Sequence, residues 1–138
     1  MRLGAEIARK RFVVAVLAGI LLIPQMSFAG MNLAAAVGGY FIKNTSTEGE
    51  ARVYATYLSP RKVVSKVSLE EALEGTTNYT TVEGPYTKTY YNVSSVSRLF
   101  YFDLDEGYDY RVKFQVTDTL EGIESTVTHY FDLEDAEE

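Results

Sequence analysis

A chain of 138 residues has room for one domain, and its 13 basic against 19 acidic residues give a net charge of −6. That balance lacks the basic footprint nucleic acid requires, and it disfavours an anionic membrane surface. There is no cysteine, so a disulfide framework is excluded, and a domain this small must be held by its core, its neighbours or an ion.

The first segment reads as an export signal. Residues 1–11 carry four basic residues and one acid, residues 12–23 are an unbroken apolar run, and Pro24 precedes Ser27-Phe28-Ala29. A positive start, a short apolar stretch and small residues at −3 and −1 are the order of a cleaved signal peptide. Twelve apolar residues are few for a spanning helix, which needs about 20. Cleavage is expected after Ala29. The chain from Gly30 then keeps nine basic and 18 acidic residues, a net charge of −9 over 109 residues, with no membrane contact after cleavage. The alternative is an uncleaved anchor over 12–42 that resembles a type IV pilin. It would place Pro24, Gly30, Gly38 and Gly39 inside a helix. Arg11 also stands where pilin processing calls for a small residue.

Residues 30–42 contain no charge before Lys43. Met31, Leu33, Ala35, Val37 and Phe41 share one strand face; Asn32, Ala34, Ala36 and Gly38 lie on the other. Exposed, such a ribbon is an aggregation hazard. It therefore either forms the first strand of its own domain or completes the sheet of a neighbour. The segment is similar to the N-terminal extensions of donor-strand pili, both bacterial chaperone–usher types and archaeal surface filaments. That resemblance implies a homopolymer built by insertion of residues 31–42 into the next subunit.

Beyond it the chain is rich in Tyr, Phe, Val and Thr, which favour strands. Strands are expected at 50–58, 62–69, 77–83, 87–95 and 98–104. Turns are expected at Thr47-Glu48-Gly49, Ser59-Pro60, Glu83-Gly84-Pro85 and Asp105-Glu106-Gly107. Leu69 to Leu73 suggests one helical turn, with Glu70, Glu71 and Glu74 on a solvated face. Alternation is clearest over 108–117: Tyr108, Tyr110, Val112, Phe114 and Val116 face one way, and Asp109, Arg111, Lys113 and Gln115 the other. Leu120-Glu121-Gly122 then turns into 123–133, with Ile123, Val127, Phe131 and Leu133 in phase. Residues 134–138 read as a frayed acidic tail. The fold expected is all-β: an immunoglobulin-like antiparallel sandwich of about seven or eight strands over 44–133.

Leu104, Gly107 and Tyr110 have the spacing of the E–F corner of fibronectin type III and related immunoglobulin-like domains, which this stretch resembles. Glu106 stands where that family has proline, and there is no tryptophan. The resemblance implies a tyrosine corner, in which the Tyr110 hydroxyl bonds back to the turn.

The residue inventory does not favour an enzyme. The single histidine, His129, lies in the core phase of the last strand, and there is no cysteine nucleophile. No cofactor is expected. The metal reading that remains is structural calcium at Asp103, Asp105 and Asp109, beside Glu106. The EF-hand template fails there, because Gly107 falls at loop position five and Phe114 at the closing Glu position. Asn44, Asn78 and Asn92 head N-glycosylation sequons. The function expected is a structural subunit of an extracellular filament or surface layer. The alternative is a monomeric adhesion or binding module that uses tyrosines such as Tyr86, Tyr90 and Tyr91.

Overall fold

A computed structural model describes residues 34–135, which contain no helix and form one six-stranded curled sheet. The strands are β1 (Ala34–Thr45), β2 (Glu48–Leu73), β3 (Thr80–Asp103), β4 (Tyr108–Leu120), β5 (Ile123–Asp132) and β6 (Glu134–Asp135). The signal segment, Met31, Leu33 and the last three residues lie outside the described residues, as does the side chain of Ala35.

β2 organises the sheet. Its first half pairs antiparallel with β1, its second half with β4, and β3 runs antiparallel along it nearly throughout. β5 pairs with β4 in a hairpin, and β6 then pairs parallel with β1 at Ile42 and Lys43. The two ends of the sheet are thereby joined through Leu133, and the sheet closes as a half-barrel around one core.

This differs from the expected set of short strands in two sheets. Residues 50–58 and 62–69 are one strand, and the three segments expected over 77–104 are another. Ser59-Pro60 and Glu83-Gly84-Pro85 act as bulges rather than turns. The β2–β3 register shifts between Thr56 and Arg61 and again between Val67 and Leu69. Proline has no N–H to give a ladder and is tolerated where the ladder is already broken. On β3 the extra residues are taken up by Asn92 (φ 57°) and Gly84 (φ 88°). A Cβ on Gly84 would stand 2.6 Å from the Val67 carbonyl oxygen, so this bulge requires glycine. Such bulges bend a strand without ending it, and here they let long strands curl. Leu69–Leu73 is also strand, because Leu69 and Ala72 are drawn into the core beside β4. Glu134-Asp135, expected to fray, pairs with β1.

The core alternates as strands dictate. Val37 and Phe41 come from β1; Ala51, Val53, Ala55, Val63, Val67 and Leu69 from β2; Val112, Phe114 and Val116 from β4. Tyr86 and Phe100, near opposite ends of β3, stack at 5.7 Å. From Phe100 the aromatic contacts continue to Phe102 (5.6 Å) and then, edge-on, to Phe41 (6.1 Å). Arg98 lies 4.8 Å over Phe100 and donates to the Ser65 hydroxyl and the Tyr86 carbonyl, tying the two halves of β3 together.

Candidate functional site

β1 occupies a groove made by its own chain. Val37 and Phe41 point inward and are 5% and 2% exposed. Phe41 lies directly over Gly49: a Cβ there would come within 2.7 Å of the ring, and within 3.2 Å of Leu104. The small residues Gly49, Ala51 and Ala55 on β2 leave the space that the larger β1 side chains fill. One edge of β1 is laddered to β2 from Ala34 to Thr45; on the other, among the described residues, the backbone ladder is the short one with β6, and β5 packs alongside.

At the end of this groove, the Tyr110 hydroxyl accepts a hydrogen bond from the Asp105 amide at 2.8 Å, and the Leu104 amide donates to the Thr47 carbonyl at 2.8 Å. Gly107, at φ 89°, makes the turn, and its carbonyl accepts from the Glu74 amide. A shallow cleft of about 370 Å³ opens beside these residues, lined by Lys43, Glu74, Asp105, Tyr108, Tyr110 and Leu133 among others.

The loop carboxylates proposed for calcium are dispersed. Asp103 ends β3 opposite Glu48, and Asp109 accepts from the Gly75 amide at 3.1 Å. Among the described residues no group of three or more metal-ligating side chains is placed to hold an ion. His129 faces inward opposite Phe114 and stacks with Phe131 at 6.2 Å. Burial holds its pKa below the usual histidine value, and among the described residues no side-chain hydrogen bond joins it to a serine or an acid. Asn44, Asn78 and Asn92 are all exposed. Tyr91 is 71% exposed and Tyr86 41%, whereas Tyr90 is half-buried against the core.

Three arrangements were not anticipated. The first is a buried ion pair at the bend of β2. Arg61 Nη1 lies 3.0 Å from Asp118 Oδ2, both side chains are almost fully enclosed, and Arg61 is held by Ser59 and stacks at 4.7 Å on Tyr57. Burial and the Asp118 charge push the pKa of the Tyr57 hydroxyl up to about 12, and among the described residues that hydroxyl has no hydrogen-bond partner. Asp118 continues the phase Val112, Phe114, Val116, so a charge on the core face was readable in the sequence; its partner was not. The second corrects the solvated reading of Glu70. Its side chain is buried and accepts from Arg111 at 2.7 Å, while Arg111 lies between the rings of Tyr79 (4.1 Å) and Tyr130 (4.2 Å). The third is the outward face of β1, β2 and β3, where Tyr40, Tyr54, Leu99 and Tyr101 are 38–58% exposed.

No family model matches the chain, and no curated protein does. Among solved structures it is similar to the sporulation control protein Spo0M from Bacillus subtilis. The two are 12% identical with a TM-score of 0.39, over 71% of this chain and 48% of that one. The chain thus spans about half the length of that protein, and a likeness of this degree carries no argument about function.

Proposed function

We propose that this protein is a non-catalytic structural subunit of an extracellular filament or surface layer, polymerised when β1 of one subunit enters the groove of the next. The observation that carries the reading is the seating of β1. It fills the core through Phe41 and Val37, yet its outer edge is laddered over only two residues among those described, with β5 packed beside it. A strand seated in this way can be replaced by the same strand of another copy without loss of contacts. If transfer is head-to-tail and does not close, a filament results. The basic and apolar leader supports export, and the exposure of Asn44, Asn78 and Asn92 is compatible with glycosylation at a surface. An immunoglobulin-like architecture of the half-barrel belongs to the same proposal. It draws on the Leu104–Gly107–Tyr110 corner with its hydroxyl-to-amide bond.

The test uses the full chain, expressed with its own leader and recovered as the secreted protein. Electron microscopy should show filaments from the wild type and none from Phe41→Ala, which cannot fill a neighbour's slot. Added to the wild type, Phe41→Ala should shorten filaments, because it accepts a strand and offers a poor one. Folded wild-type monomers at every concentration would refute the proposal. They would favour the second reading, a monomeric binding module presenting Tyr91 and its neighbours.

A further inference from the structure

We infer that the outward face of β1, β2 and β3 is a contact surface for a second copy of this chain, related by a two-fold axis that crosses β2 at Ala51. The register places the outward residues in rows across the three strands. Ala36, Thr56 and Ser95 form one row, and Gly38, Tyr54 and Ser97 the next. Tyr40, Arg52 and Leu99 follow, then Ile42, Glu50 and Tyr101. The first two rows are flat except for Tyr54, whose ring lies over Gly38, where a Cβ would stand 2.5 Å from the tyrosine oxygen. The last two rows carry the exposed apolar side chains Tyr40, Leu99 and Tyr101, the last 58% exposed.

Charge selects the occupant. A chain carrying a net −9 from Gly30 onward repels copies of itself over most of its surface. These twelve positions hold one acid and one base. Both are already positioned: Glu50 accepts from the Tyr40 hydroxyl at 2.7 Å and from Asn44 at 3.1 Å, and Arg52 donates to Ser97 at 3.1 Å. Sheets stack face to face about 10 Å apart, close enough for tyrosines to interdigitate. An axis running along the rows through Ala51 sets Arg52 over Glu50 of the partner subunit. Tyr40 then lies over Ile42 of the partner subunit, and Leu99 over Tyr101 of the partner subunit. An axis running along β2 would instead set Arg52 on Arg52 of the partner subunit, and like charges facing each other are costly. An uncharged ligand could use the tyrosines but would have no use for an acid and a base two residues apart.

Twelve positions are fewer than the roughly 20–30 residues a side of a standard interface, so the pair is weak and concentration-dependent. It does not rest on strand exchange. The experiment is sedimentation equilibrium of the secreted full chain, run with and without an engineered Val37→Cys/Ala55→Cys disulfide that ties β1 to β2. The dimer should form with the bond in place, where β1 cannot pass between copies, and without the bond association should be at least as extensive. Glu50→Arg alone and Arg52→Glu alone should each weaken it by about tenfold or more, and the double exchange Glu50→Arg/Arg52→Glu should restore it. Circular dichroism confirms that each variant is folded. A dimer indifferent to the single exchanges, a double exchange no better than either single, or monomers throughout would overturn the inference. A dimer abolished by the disulfide would assign association to strand exchange and would equally overturn it.

Discussion

Phe41 is the side chain on which the packing of β1 turns, and its truncation has a size that can be worked out beforehand. The ring is 2% exposed, contacts Phe102 edge-on at 6.1 Å and fills the space over Gly49. Phe-to-Ala changes at such sites cost about 3–5 kcal/mol, which combines lost transfer energy with the cavity left behind. The edge-on aromatic pair contributes about 0.5–1.5 kcal/mol beyond burial. The slot over Gly49 is open to little else, so relaxation is limited and the upper half of the range is expected. Gly49→Ala attacks the same contact from the other side. Its Cβ would stand 2.7 Å from the ring, an overpacking that costs about 1–3 kcal/mol. The two changes must not add: with the ring gone, the methyl group introduced by Gly49→Ala has room, and the double variant should be more stable than the sum of the singles implies. Urea unfolding of the full chain at concentrations too low for assembly, followed by circular dichroism, measures all four corners of the cycle. A Phe41→Ala cost below about 1 kcal/mol, or strict additivity with Gly49→Ala, would refute the seating of β1.

The remaining predictions concern the polar groups inside the sheet. Removing either partner of the Arg61–Asp118 pair, as in Arg61→Met or Asp118→Leu, should cost about 3–5 kcal/mol, because a charge is left buried and alone. The double apolar replacement should recover most of that loss in the same urea assay. The Tyr57 hydroxyl should ionise near 12 in the folded protein, so ultraviolet difference titration should find one tyrosine that titrates well above the others; a set that all titrates near the ordinary tyrosine value would contradict its burial. His129 has a folded pKa below 6.5, so the unfolded chain binds more protons in this window. Its contribution to stability is therefore complete above pH 6.5 and is lost as pH falls through the folded value. His129→Gln should flatten the stability profile below pH 6.5, and an unchanged slope would sink the assignment. Asp118 works in the opposite sense: burial raises its pKa, so its share is lost as pH rises through the raised value.

Much of the fold was legible where alternation is strict. The phase of 108–117 is the buried and half-buried alternation of β4, with Tyr110, Val112, Phe114 and Val116 inside and Arg111, Lys113 and Gln115 outside. Val37 and Phe41 likewise share the inward face that their spacing predicts. What alternation could not supply was continuity. Pro60 and Gly84-Pro85 have the composition of turns, and only the partner strand decides whether such residues reverse the chain or bulge it. For the same reason the helical turn over Leu69–Leu73 gave way: a short Leu-Glu-Glu-Ala-Leu has helical composition, but β4 offers a complete ladder beside it. The ion pairs were invisible because Arg61 and Asp118, like Glu70 and Arg111, are far apart in sequence. A charged residue in the core phase announces that it needs a partner without naming one. The flat outward face was hidden too, since Tyr40, Tyr54, Leu99 and Tyr101 come together only through register.

The claim that matters most is that β1 passes between subunits, and a covalent lock addresses it directly. Val37 and Ala55 are paired across β1 and β2, and facing antiparallel residues have Cα separations that a disulfide can span. The Val37→Cys/Ala55→Cys protein, oxidised as a monomer and imaged by electron microscopy, should form no filaments, and should form them once the bond is reduced. Filaments growing equally well from the oxidised protein would contradict strand exchange.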